Sequence, residues 1–177
     1  MYIYKFINFL VNDEIAAYLS EDHDRLDALL RRCVLPSGGI DADVYHAFRQ
    51  GLLRHIGIEE RILIPALRTP AGGTLQETIE RIRLDHSAIA ALLVPVPSAG
   101  IIAALTAILT GHNDLEERDG GFYERADAYD AEAATGMMDR IRSAPEVRAL
   151  PNNPDPAVLA ATRRALERAG YDAAQYF

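Results

Sequence analysis

A chain of 177 residues with a net charge of −8 is sized for one domain around one sizeable core. No Lys/Arg run stands out as a phosphate-binding stripe, which argues against a nucleic-acid partner. The lone cysteine, Cys33, permits no intrachain disulfide and fits a reducing cytoplasm. In Leu29-Leu30-Arg31-Arg32-Cys33-Val34-Leu35 it reads as a half-buried thiol at a helix end, because the pattern places no histidine beside it.

In chain order, residues 1–11 are apolar, but Lys5 lies inside the run, Asp13 and Glu14 follow at once, and there is no small-residue cleavage site. The stretch reads as a strand-like or helical lead-in that packs on the core, and not as a signal peptide. Asn12 or Asp13 caps a first helix that runs to about Val34, ended by Pro36-Ser37-Gly38-Gly39. Asp41 or Asp43 caps a second helix to about Leu67, with Pro65 placed to kink or end it. After the loop Thr69-Pro70-Ala71-Gly72-Gly73, Thr74 and Glu77 form a capping box opening a third helix to about Val94. Ser98 caps a fourth, and Asp119-Gly120-Gly121 stops or bends it. Phe122 to Arg142 reads as a fifth helix, 143–155 as a Pro- and Asn-rich linker, and Pro156 to Ala169 as a last short helix before Gly170. The longest apolar region, Ala88 to Gly111, is interrupted by Pro95 and Pro97, so no membrane span is expected.

No alternating strand pattern appears. Short loops between amphipathic helices predict an all-α chain, an antiparallel up-down four-helix bundle with additional C-terminal helices. Residues 1–142 form the bundle with its lead-in. Residues 143–177 form a linker and a C-terminal helix packed on the bundle or extending from it.

Two phrases occur twice. His55-Ile56-Gly57-Ile58-Glu59-Glu60-Arg61 returns as His112-Asn113-Asp114-Leu115-Glu116-Glu117-Arg118. Asp22-His23-Asp24-Arg25-Leu26-Asp27-Ala28-Leu29-Leu30 returns as Asp85-His86-Ser87-Ala88-Ile89-Ala90-Ala91-Leu92-Leu93. Residues four apart share a helix face, so each HxxxE copy offers an imidazole and a carboxylate in one direction. The alternation predicts an approximate two-fold relation between the two halves. It also predicts four inward faces carrying His23, His55 with Glu59, His86, and His112 with Glu116 at one level of the bundle.

Four imidazoles and two carboxylates in an apolar core must be paired or bound to metal. A dinuclear site accounts for all six. The nitrogen and oxygen donors suit iron, manganese or zinc, and the absence of thiolate speaks against a zinc–sulfur site or an iron–sulfur cluster. The expected pairing is His23 with His55 and His86 with His112, with the two glutamates bridging. Asp22 and Asp85 are placed to orient histidines or to lie on the helix surface, and Glu60 and Glu117 to face solvent or support the ligands. His46, nine residues before His55, falls on the opposite helix face and receives no role. Asp27 reads as solvated or salt-bridged, since the repeat has Ala90 in its place. Tyr123 reads as a core or rim side chain, its direction hidden by the double glycine.

The series DH…HxxxEE…DH…HxxxEE on four helices, continued in the first copy by Leu63-Ile64-Pro65, resembles the hemerythrin-like, HHE cation-binding family over about Ser20 to Tyr123. The resemblance implies a non-haem site of two iron ions with His23, His55, Glu59, His86, His112 and Glu116 as ligands and the glutamates bridging. Oxygen-carrying hemerythrins have a second histidine one turn after the third-helix one; here that position is Ala90, and Ile82 lies one turn before. This departs from simple O₂ carriage and implies an open position for water, O₂ or peroxide. The functions implied are small-ligand binding in sensing, storage or stress protection, or a di-iron oxidase or peroxide-consuming enzyme, or a metal-dependent regulatory module.

Overall fold

The computed structural model describes residues 14–68, 74–133 and 135–177. The lead-in, with Asn12 and Asp13, and the side chain of Thr74 lie outside the described residues. Among the described residues there is no strand, only isolated bridges pairing Val34 with Ile40 and Pro95 with Asn153.

Helix α1, Glu14–Arg32, buries Ile15, Leu19, His23, Leu26 and Leu30 along one face. It stops before Val34 because the chain turns there: the Asp41 amide donates to the Cys33 carbonyl at 2.7 Å, closing the loop. Cys33 itself is fully buried rather than half-buried, its thiol donating to the Leu30 carbonyl at 3.0 Å. Asp41 caps α2, Ala42–Ile58, accepting from the Asp43 and Val44 amides at 3.1 and 3.0 Å.

Pro65 does not end this helix. Its missing N–H and bulky ring are accommodated by one π-helical turn, Glu59–Leu63, in which the Ile64 amide reaches the Glu59 carbonyl. The chain then continues as α3, Ile64–Leu67. Such widened turns are frequent at functional sites, and this one begins at Glu59. Helix α4 covers Thr74–Leu92 and α5 Ala99–Glu117, the latter capped by Ser98, whose hydroxyl accepts from the Ile101 amide at 3.2 Å.

The fifth predicted helix is two. Helix α6, Phe122–Ala133, is separated from α7, Met137–Arg142, by Gly136 at φ +64°. Asp130 makes the break by folding back: its carboxylate accepts from the Thr135 hydroxyl at 2.5 Å and the Met137 amide at 3.0 Å, capping α7 from a distance. Helix α8, Pro156–Arg168, is capped by Asp155 and followed by a 3₁₀ turn, Ala173–Gln175, that periodicity does not announce.

The predicted linker straps the α4–α5 turn. Asn152 donates to the Pro95 carbonyl at 2.7 Å, and the Asn153 amide donates to the Val94 carbonyl at 2.9 Å. Leu166, Ala169 and Ala173 join the main core cluster, and Tyr176 lies so close to the start of α5 that a Cβ on Gly100 would collide with its carbonyl. No helix among the described residues is long and apolar enough to cross a membrane.

The core falls into two apolar clusters. One contains Leu26, Leu52, Ile89 and Ile108; the other contains Leu19, Ile58, Ile82 and Phe122. Each of His23, His55 and His86 is flanked along its helix by a residue of each cluster, so the histidines form a polar layer between two apolar ones.

Candidate metal centre

The repeat brings its six residues together. His23 on α1, His55 on α2, His86 on α4, His112 and Glu116 on α5, and Glu59 at the first position of the π turn are each no more than 5 % exposed. Their donor atoms form two four-membered groups, His23–His55–Glu59–Glu116 and Glu59–His86–His112–Glu116, each with all donor atoms within 4.8 Å of one another. One group contains His23 and His55, the other His86 and His112, and both glutamates belong to both groups.

The outer nitrogens are held in a crossed pattern. The Nδ1 of His23 lies 2.5 Å from Glu117, that of His55 3.0 Å from Asp22, and that of His86 2.9 Å from Glu60. The His112 Nδ1 is 3.7 Å from Asp85, too long for a hydrogen bond. The Asp of each DH phrase thus faces the histidine of the following HxxxE. The second Glu of each HxxxEE phrase faces the histidine of a DH. Such carboxylates fix an imidazole's tautomer, keeping the proton on Nδ1 and turning the Nε2 lone pair inward.

This arrangement fits a cation. The Nε2 atoms of His23 and His55 face each other at 2.9 Å. With both outer nitrogens protonated toward carboxylates, two lone pairs meet there and require something positive between them. Two metal–nitrogen bonds of about 2.0–2.1 Å meeting near a right angle span about 2.9 Å. In the other group the Nε2 of His86 and one oxygen each of Glu59 and Glu116 are buried without a hydrogen-bond partner, although His86 lies 3.0 Å from Glu59. Orphaned buried groups of this kind are costly; three converging on one point are accounted for by a shared ligand.

The electrostatics of the bare side chains agree. Burial works against a charged His55, but Glu59 and Asp22 outweigh it and lift its pKa to about 9. A proton therefore occupies the contact with His23. Burial opposes a charged Glu59, yet His55 and His86 hold it well below the usual carboxylate range. Burial and the neighbouring charge of Glu59 push Glu116 well above it. Two buried carboxylates this close do not both ionise without a cation. Metal uptake at pH 7 is expected to release protons from the site, those of His55 and Glu116 among them, since ligands bind in their deprotonated forms. Calorimetric titration in buffers of different ionisation enthalpy measures the number released.

Three residues resolve differently from, or beyond, the sequence reading. Of the two roles expected for Glu60 and Glu117, support is realised, against His86 and His23, while Glu117 also remains exposed to solvent. Asp27 pairs with Arg31 and has no contact with the site, and His46 is exposed. Tyr123 is fully buried with its hydroxyl inside the first group: 2.6 Å from Glu59, 3.0 Å from Glu116 and 3.1 Å from the Nε2 of both His23 and His55. Its signal in the sequence was its place seven residues after Glu116, on the same helical face had the helix continued. The helix does not continue. Gly120 takes φ +68°, and Gly121 packs so tightly that a Cβ there would sit 2.5 Å from the Arg118 carbonyl oxygen and 2.6 Å from that of Glu116. Gly121→Ala is expected to displace α6, destabilise the chain by more than about 1 kcal/mol and disturb the site through Tyr123. Thermal melts and metal counting on the same sample check both effects.

The C-terminal segment reaches the same site. Tyr171 donates to Asp85 at 2.5 Å, and Arg81 pairs with Asp85 while donating to the Ala169 carbonyl at 2.7 Å. Burial opposes ionisation of Asp85, but His112, Arg81 and Tyr171 hold it below the usual range. A cleft of about 320 Å³ lies beside His23 and Glu117, lined also by Leu26, Leu52, Thr110 and Asn113.

With this geometry in place, comparison with known families is direct: the hemerythrin HHE cation binding domain matches residues 14–119. The chain belongs to that family. No curated protein and no solved structure matches it. The matched span contains all six clustered residues, and Tyr123 and Tyr171 lie beyond it.

Proposed function

We propose that this chain is a non-haem di-iron protein in which His23, His55, Glu59, His86, His112 and Glu116 hold two iron ions, and that it binds O₂ or a related small ligand in sensing, storage or stress protection. The observation that carries this reading is the pair of four-membered donor groups sharing Glu59 and Glu116. Nitrogen and oxygen donors without thiolate suit iron, and accommodate manganese or zinc. Bound iron would supply a redox-active centre with a position open to a small ligand. The chain supplies four imidazoles, three of them oriented by hydrogen bonds to carboxylates, two shared glutamates, and apolar layers that exclude bulk water. A lone buried cysteine suits a reducing cytoplasm.

The arrangement of α1, α2, α4 and α5 that we favour is the antiparallel up-down four-helix bundle. Its support is the order in which the helices cross the two clusters. Helix α1 passes from Leu19 to Leu26 and α4 from Ile82 to Ile89, whereas α2 passes from Leu52 to Ile58 in the opposite sense.

A second reading, consumption of peroxide or O₂ as an oxidase, is favoured by Ala90, which leaves the His86–His112 side one donor short of the oxygen carriers. Anaerobic loading with Fe(II), iron counting, and absorption spectra before and after air test the proposal. Two irons per chain with new near-ultraviolet absorption that reverses on removing O₂ support a binder. Irreversible change with peroxide turnover supports the enzyme, and no stoichiometric iron overturns both.

A further inference from the structure

We propose that Tyr123 is itself a ligand, a phenolate donor to the metal held by His23 and His55, so that the two metals have unlike protein donor sets. The inference rests on the di-iron reading and extends it to a residue outside the span matched by the family.

The juxtaposition is specific. The Tyr123 oxygen has four polar neighbours between 2.6 and 3.1 Å, and all four are members of the first donor group. A phenol has one proton and two lone pairs, so it can donate to only one of the two carboxylates beside it. As a donor atom beside His23 and His55 it is already where a ligand must be. Its hydroxyl proton leaves to solvent on metal uptake, as ligand deprotonation requires. The oxygen makes no hydrogen bond to His86 or His112, and the repeat gives the other half no equivalent: seven residues after Glu59 the chain has Ala66. Ala90 removes a donor from the third helix as well. The sequence therefore adds an oxygen donor on the His23–His55 side and supplies no counterpart on the His86–His112 side, which assigns the position open to a small ligand to the latter.

The backbone is built for this placement. The tight turn at Gly120-Gly121 reverses the chain directly after Glu116 and Glu117 and returns Tyr123 to the layer that Glu116 occupies. A tyrosine needed only for packing could be replaced by Phe122's type of side chain without the burial of a hydroxyl among charged groups.

The test uses the full chain loaded anaerobically with Fe(II), counted, and then oxidised in air to the iron(III) form. The parent is expected to show a visible phenolate-to-iron(III) charge-transfer band, with resonance-enhanced tyrosine ring modes on excitation into it. Tyr123→Phe, which keeps the ring volume, is expected to retain two irons and lose band and ring modes together. Tyr171→Phe, which alters a tyrosine near Asp85, is expected to retain them. Two irons in the parent without phenolate band or ring modes would overturn the assignment and leave the di-iron reading intact. A band unchanged in Tyr123→Phe would overturn it equally. No iron in the parent would overturn both. The Raman measurement on the parent needs no variant, so a Tyr123→Phe chain that failed to fold would not protect the proposal.

Discussion

Replacing Glu59 with glutamine is expected to abolish stoichiometric metal binding at both positions, not one. Glu59 is the member of both donor groups that carries the negative charge: its oxygens lie 3.5 Å from His55 and 3.0 Å from His86. The amide keeps the volume but removes the charge that offsets two cations, and amide nitrogen is no ligand. In the metal-free protein the charge of Glu59 is matched by His55 and His86, so its removal also breaks a buried pair and leaves the remaining positive charge uncompensated, which costs several kcal/mol. The expected signature is therefore twofold: metal affinity falls at least about tenfold, a loss of 1.4 kcal/mol or more in binding, and the melting temperature of the metal-free chain falls as well. Metal analysis after gel filtration, with melts of the metal-free forms, reads both. Retention of one metal per chain would mean that the two groups are independent and that Glu59 does not bridge.

Removing the metal from the parent is the second large effect. A ligand bound only by the folded state stabilises it by about 2.7 kcal/mol at a free concentration one hundred times its dissociation constant. Two sites give roughly 5 kcal/mol by the same relation. At about 2–4 °C per kcal/mol for a chain of this size, chelation is expected to lower the melting temperature by about 10–20 °C. Helix content is expected to change little. Both apolar clusters are complete without metal, and a proton on His55 with a protonated Glu116 substitutes for the missing positive charge. Far-ultraviolet dichroism and calorimetry before and after chelation measure the two quantities. Collapse of the helical signal would instead mark a chain whose folding depends on metal.

The six clustered residues were legible because their spacing repeats. Two matched HxxxE phrases and two matched DH phrases state both the residue types and their helical register, and apolar residues on either side place them in the core. The crossed supports were not legible. Asp22 adjoins His23 in sequence, but neighbouring residues on a helix point in different directions. That Asp22 faces His55, and Glu117 His23, follows only from how the helices pack. Tyr123 was hidden by the glycine turn before it, since its direction depends on backbone angles that an ordinary helix does not supply. The break at Gly136 was hidden by Asp130, which caps α7 from seven residues away. Tyr171 reaches Asp85 across 86 positions of sequence, a distance at which no periodicity carries information. What repeats or alternates can be read from the chain; what closes through a turn or a long return needs the fold.

The pairing of the donor groups is tested most directly by locating the metals. Crystals of the chain loaded anaerobically with Fe(II), measured at the iron absorption edge, should give two anomalous peaks. One is expected between the Nε2 atoms of His23 and His55 and the other between those of His86 and His112, with Glu59 and Glu116 contacting both. A single peak, or iron bound elsewhere while these six side chains remain unliganded, would contradict the account.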